Sequence, residues 1–150
     1  MIHHIWSVLC RTSIVNAQTN SITLSDVMEF IAINAVVDPA TDLEKTDTFS
    51  FPIDYEVTAL LARDDASHAE AAELLIKQND PKHKLLMETT QAFTMPIGMS
   101  RIRLRLQIHG VTVSTTGKYN FEIGLKQPGQ AHAALVASVP LEVQLNLQEQ

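Results

Sequence analysis

The sequence predicts an all-β protein, an antiparallel β-sandwich of about seven to nine strands with at most short helices. Residues 101–108 alternate without a break between polar and aliphatic side chains. Successive side chains of a strand point to opposite faces, so this segment has one cationic and one apolar face, which a helix could not produce. Segments 118–126 and 141–147 alternate in the same way. The polar set of the first segment is Arg101, Arg103, Arg105 and Gln107.

The N-terminal third predicts a hairpin followed by a less regular segment. Residues 3–15 form the first expected strand and 21–24 the second, joined by the polar turn 16–20. Residues 25–30 begin with Ser-Asp, which can cap a short helical turn. Residues 31–37 are apolar and continue either as sheet or as buried coil.

The middle of the chain contains the clearest loop and one ambiguous segment. Residues 38–48 carry a proline and several acids and predict a loop, after which 49–63 alternates as a strand. The alanines within 66–76 favour helix, yet this segment leads into the turn signature 79–82. We interpret the region as a hairpin and leave open whether 66–76 is helix or strand.

The C-terminal third predicts three strands, 100–113, 118–126 and 131–147, with the last divided near Pro140. The turn 115–117 connects the first two. Their apolar sides, together with those of the earlier strands, are expected to share one core. The large side chains assigned to that core are Trp6, Tyr55, Leu104, Leu106, Tyr119, Phe121 and Leu141.

Composition limits the class of protein. A chain of 150 residues with 45% hydrophobic residues suits one sandwich domain spanning residues 1–150. The net charge of −6 argues against a nucleic-acid partner. Cys10 is the only cysteine, so no intrachain disulfide can form, which favours a reducing, cytoplasmic location. The first ten residues make a poor signal peptide, and no stretch is long and apolar enough for a membrane span.

Parts of the sequence resemble known β-sandwich proteins. Residues 117–123 and 139–143 resemble the closing strands of immunoglobulin-like sandwiches. Residues 8–11, 16–20 and 22–31 are similar to the opening of a family of small, uncharacterised, mainly bacterial proteins. The resemblance implies an immunoglobulin-like fold for nearly the whole chain. It implies no activity and no catalytic residue.

The arginine stripe, which we define as Arg101, Arg103 and Arg105, is the first candidate site. Same-face residues of a strand lie roughly 6.5–7 Å apart, so three guanidinium groups could line up against an anionic ligand or an acidic partner. The simpler interpretation, which we favour, is a solvated face whose charges pair with acids of neighbouring strands. The candidate acids are Asp54, Glu56, Glu122 and Glu142.

The remaining candidate sites are weaker. The acidic loop Asp38–Asp47 could bind calcium through carboxylates, but it lacks EF-hand spacing. The six histidines show no metal-ligand spacing, and Cys10 lies on an apolar strand, where a buried, inert thiol is the expected state. No hydrolase, phosphate-loop or dinucleotide motif occurs. No catalytic, cofactor-binding or metal residue is therefore predicted.

These observations predict a non-enzymatic interaction or scaffold domain. It is expected to act through sheet edges or a sheet face, with a protein partner or as a homo-oligomer. Residues 131–139 are apolar on both faces and must be covered either by another chain or by other parts of this one. The alternative is a ligand-binding sandwich that uses the acidic loop for calcium or the arginine stripe for an anion.

Overall fold

The computed structural model describes residues 1–149 and confirms the all-β class, since these residues contain strands and no helix. The strands are β1 (Ile2–Val15), β2 (Ile22–Val27), β3 (Phe30–Val37), β4 (Phe49–Phe51), β5 (Tyr55–Arg63), β6 (Glu70–Asn79), β7 (Leu85–Met95), β8 (Arg101–Ile108), β9 (Val111–Val113), β10 (Gly117–Lys126) and β11 (Ala134–Glu149).

The expected number of seven to nine strands is wrong, because eleven are present in the described residues. Two predicted strands are each broken in two. The segment 49–63 breaks around Pro52, which has no backbone N–H to donate to a ladder. The segment 100–113 breaks at His109 and Gly110, where Gly110 takes a φ of +83°. The short pieces β4 and β9 pair with each other as a separate two-stranded sheet.

The two larger sheets lie in the orders β2-β1-β5-β8 and β3-β11-β10-β6-β7. All neighbours are antiparallel except β3 and β11, which are parallel, so the expectation of a purely antiparallel sandwich is also wrong. The exception arises because the chain leaves the first sheet after β2 and enters the second as β3.

The predicted helical turn over residues 25–30 does not form, since this is where the chain crosses between the sheets. Asp26 takes a φ of +53°, outside the right-handed helical region. Met28 N donates to Leu9 O at 2.8 Å, and Glu142 N donates to Glu29 O at 3.0 Å. The backbone groups of the crossing are therefore taken by β1 and β11, which outweighs the local capping preference.

The ambiguous segment 66–76 becomes strand from Glu70 onward, and the predicted hairpin forms between β6 and β7. Pairing with β7 on one side and β10 on the other overrides the helical preference of its alanines. The strand expected to divide near Pro140 is continuous. Among the described residues, 134–141 of β11 pair only with β10, because β3 pairs from Glu142 onward. A proline is tolerated where one side of a strand has no partner strand.

The main core lies between the two large sheets. Of the seven side chains assigned to it, five are buried, and Leu104 is half-buried against the core. The Tyr55 and Phe121 rings meet edge to face with centroids 5.9 Å apart. Trp6 is half-buried and lies outside this core. It pairs with Leu60 on the outer face, whereas Leu9 from the opposite face of β1 points inward. Both faces of β1 carry apolar residues, so its sequence does not identify the inner one.

A polar cluster closes one end of the sandwich. The Tyr119 hydroxyl accepts hydrogen bonds from Ser114 N at 2.9 Å and Thr115 N at 3.0 Å, and donates to Thr115 O at 2.6 Å. Gly117 takes a φ of +149°, and a Cβ there would lie 2.7 Å from Pro81 Cγ. The turn before β10 is thereby packed against the turn between β6 and β7.

Asp80 connects the same two turns. Its carboxylate accepts hydrogen bonds from Lys82 N, Lys84 N and Ser114 Oγ, each at 2.8 Å. Burial on its own raises the pKa of Asp80, but the hydrogen bonds from Lys84 N, Ser114 Oγ and Lys82 N stabilise the carboxylate and hold the pKa below its ordinary value.

Candidate functional site

The arginine stripe lies on an edge strand. In the described residues β8 pairs only with β5, where Arg101, Arg103 and Arg105 stand opposite Ala62, Leu60 and Thr58 on the outer face of the four-stranded sheet. Charged side chains on an edge strand discourage pairing with a strand of another molecule. The stripe therefore protects this edge.

Two of the arginines also hold the β1–β2 hairpin over the outer face of the sheet. The Arg103 guanidinium donates to Asn20 O, and Arg105 Nη1 donates to Ser13 O at 3.2 Å and Ser13 Oγ at 3.3 Å. Arg105 of β8 lies opposite Thr58 of β5, which in turn lies opposite Val8 of β1. In a flat sheet Ser13 would lie about 16 Å farther along β1 than Val8, given roughly 3.3 Å per residue. The hairpin must therefore bend back across the sheet.

The bent hairpin explains why polar side chains on an outer face are buried. Cys10 and Thr58 are 0% exposed, and their Sγ and Oγ1 atoms lie 3.9 Å apart. Ser13 Oγ donates to Glu56 Oε2 at 2.5 Å, and both residues are buried. Burial raises the pKa of the Cys10 thiol, which keeps it protonated and weakly nucleophilic.

The expected pairing of the stripe with acids is not found. Among residues 1–149, none of the three arginines forms an ion pair with a carboxylate. Asp54 instead contacts His109 at 3.4 Å, and Glu56 accepts from Ser13. Glu122 and Glu142 belong to the other large sheet. The interpretation as cross-strand ion pairs is therefore wrong, and the oxygens that contact Arg103 and Arg105 are uncharged.

A cleft of about 470 Å³ lies beside the stripe, between the β1–β2 hairpin and the β8 edge. Guanidinium groups with only neutral partners can bind a carboxylate or phosphate through charge-assisted hydrogen bonds. The cleft therefore has the chemistry of an anion site on a mixed apolar and cationic wall. It is lined by Val15, Asn20, Leu60, Met99, Ile102 and the three arginines.

Two carboxylates of the acidic loop Asp38–Asp47 contact the loop itself, whereas that of Asp47 lies 3.9 Å from Lys84 Nζ outside the loop. Asp38 Oδ1 accepts from Ala40 N at 2.8 Å. Asp42 accepts from Glu44 N at 3.2 Å and contacts Lys45 Nζ at 2.8 Å. Within the described part of the chain, no group of three or more His, Cys, Asp or Glu side chains is arranged to hold a metal ion.

The second feature that matters for association is the edge formed by β7. This strand is eleven residues long and pairs only with β6 among the described residues. Glu88 is its only charged residue, and Thr90, Ala92 and Thr94 are exposed beside it. Sequence reasoning missed this edge, because strand order depends on long-range pairing. The available signal was the uncharged run from 89 to 95.

Sequence reasoning also missed the buried Arg63. Its guanidinium donates to the carbonyl oxygens of Met99 at 2.9 Å, His68 at 2.7 Å and Pro96 at 2.6 Å. Its Nη1 also lies 3.8 Å from the Glu70 carboxylate. These contacts fasten the loops that follow β5 and β7, so the role of Arg63 is structural. No local pattern in the sequence distinguishes it from an exposed arginine.

One hydroxyl–imidazole pair lies on β1. His4 Nε2 and Ser7 Oγ are 2.7 Å apart, across the irregularity in register between His4 and Trp6. Burial lowers the pKa of His4 and outweighs the opposing effect of a hydrogen bond with the Trp6 backbone. The two residues are three positions apart on one strand, and the register irregularity between them accounts for their contact.

No family model matches the chain, and no curated protein is significantly similar to it. Residues 1–149 contain no helix with the length and hydropathy needed to cross a membrane.

Proposed function

We propose that this protein is a non-enzymatic interaction or scaffold domain that self-associates through a sheet edge. The observation that carries the proposal is the contrast between two edges. The β8 edge carries three arginines, whereas β7 presents eleven residues with one charge. The unpaired N–H and C=O groups of such an edge are complemented by another extended strand.

We also propose the finer assignment of the fold as immunoglobulin-like. Its support is the Tyr119 hydroxyl, which bonds to the backbone of residues 114–115 a few positions upstream. Immunoglobulin-like sandwiches use the same arrangement, called a tyrosine corner. Membership of the mainly bacterial family and a cytoplasmic location remain proposals that rest on the sequence, the latter on the single cysteine.

Sedimentation velocity from about 1 μM to about 100 μM tests the self-association. We expect a concentration-dependent dimer or larger species that persists near 1 M salt, where the Debye length is roughly 3 Å, because β7 carries little charge. A monomer throughout this range would refute the proposed self-association.

A second candidate function is an anionic ligand at the stripe of Arg101, Arg103 and Arg105. The cleft beside them and the absence of carboxylate partners for these three arginines in residues 1–149 favour it. Inorganic phosphate and a short acidic peptide are suitable probes. We expect binding to raise the thermal midpoint of the wild type and not that of a variant with all three arginines changed to Gln. Calcium at the acidic loop has no comparable support, since the Asp42 carboxylate contacts Lys45.

A further inference from the structure

We infer that the partner of the β7 edge is a second copy of this chain, paired antiparallel through β7 with Thr90 on the twofold axis. The inference rests on the proposed function and specifies the interface and its register. The two five-stranded sheets would join into one continuous sheet across the axis, as an isologous contact.

The register follows from the length of the strand and its one charge. β7 runs from Leu85 to Met95, and placing Thr90 opposite itself pairs all eleven residues. Glu88 then stands opposite Ala92 of the partner subunit, so the two glutamates do not meet. An axis at Glu88 would place the two carboxylates directly opposite each other, which is destabilising.

The side chains and flanks of β7 are compatible with the same axis. Thr90 would face its own copy, and threonine pairs are favourable across antiparallel strands. Just outside the strand, Lys84 would lie opposite Pro96 of the partner subunit, without like charges. The side chains of Glu88, Thr90 and Ala92 are exposed and lie on one face of β7. Pairing with a second copy of β7 therefore requires no buried side chain to move.

The other long edges are less suited to self-pairing. On β8, an axis near the centre of the strand places one arginine opposite another of the partner subunit. On β3 the eight residues are uncharged, but Glu29 and Asp38 flank them. Antiparallel self-pairing would bring each Glu29 close to the other subunit's Asp38 at both ends. The β7 edge has neither obstacle.

The first experiment places a lysine on each edge in turn. Thr90→Lys brings two ammonium groups together on the proposed axis, so we expect the dissociation constant to rise at least about tenfold. Gln107→Lys on the β8 edge and Val36→Lys on the β3 edge are matched controls, since all three positions are exposed. They should leave association within about twofold of the wild type.

The second experiment tests the register by cysteine cross-linking in full-length protein under mild oxidation. Opposite Cα atoms of an antiparallel pair lie about 4.5–5.5 Å apart, within disulfide range. Thr90→Cys should therefore cross-link with itself. Glu88→Cys and Ala92→Cys should not do so alone, because each residue and its copy would be displaced by about 13 Å along the strands. A mixture of the two should cross-link. Cys10 is buried and serves as the unreactive background.

The outcomes separate the two proposals. A wild type that is monomeric throughout refutes self-association itself. A wild-type dimer that survives Thr90→Lys, or that is lost in Val36→Lys or Gln107→Lys instead, leaves self-association standing and overturns the β7 interface. Cross-linking of Glu88→Cys with itself, without cross-linking of Thr90→Cys, overturns the register. Circular dichroism and thermal midpoints of each variant verify that the monomer still folds.

Discussion

Removal of the Tyr119 hydroxyl is the sharpest test of how the end of the sandwich is held together. Tyr119→Phe keeps the buried ring and deletes the oxygen that bonds Ser114 N, Thr115 N and Thr115 O. Ser114 and Thr115 are half-buried, so water can replace part of what is lost. With a net contribution of about 0.5–1.5 kcal/mol for each hydrogen bond, we expect the free energy of unfolding to fall by about 2 kcal/mol.

Tyr55→Phe is the matched control. The Tyr55 ring is also buried, and burial alone raises the pKa of its hydroxyl, which makes no hydrogen bond within residues 1–149. Loss of the Tyr55 hydroxyl should change the free energy of unfolding by less than about 0.5 kcal/mol.

The effect of Tyr119→Phe is measured by chemical and thermal denaturation. We expect an unchanged dependence of the unfolding free energy on denaturant concentration and a thermal midpoint lowered by roughly 4–8 °C. A loss of less than about 0.5 kcal/mol in Tyr119→Phe, the size expected for the control, would show that the three bonds of Tyr119 do not stabilise the fold. That result would also remove the support for a tyrosine corner.

Further predictions concern the core, the stripe, the polar cluster and a turn. Phe121→Ala should lower the free energy of unfolding by about 3–5 kcal/mol in a denaturant titration, because the ring is buried between the sheets. Changing Arg103 and Arg105 to Gln removes their contacts with Asn20 and Ser13, so amide hydrogen exchange in residues 13–20 should become faster. The same variant should still dimerise in sedimentation experiments. Asp80 has a lowered pKa in the folded state, so its stabilisation is complete above its unfolded-state pKa of about 3.9 and is lost as the pH falls through the folded-state value. Asp80→Asn should therefore reduce the acid dependence of the thermal midpoint between about pH 5 and pH 2. Gly117→Ala should destabilise through strain at its positive φ and contact with the neighbouring proline, and an unchanged midpoint would contradict this.

Several elements could be predicted because their information is local. The alternation in 101–108 and 118–126 identifies strands and their apolar faces, since a strand has a period of two. The turn signature at 79–82 predicted the β6–β7 hairpin despite the helical preference of the preceding alanines. The residues expected in the core are largely buried for the same reason.

The candidate surfaces could be predicted only in part. The arginine stripe was visible in the sequence, but its partners were not. Arg103 and Arg105 contact Asn20 and Ser13, which are more than eighty positions away in the chain, and they do so because the hairpin bends over the sheet. Arg63 gave no signal, because its burial depends on the loops at 68 and 96–99 that wrap around it.

The sequence by itself determined that the chain forms β-strands, where most of them lie and which side chains alternate between two faces. Those properties follow from side-chain chemistry and backbone preferences over a few residues. Only the tertiary structure decided that β3 and β11 are parallel, that the hairpin covers Cys10 and that β7 and β8 are edges. These features depend on which strands pair across long separations, and the residues of one strand do not by themselves specify its neighbours.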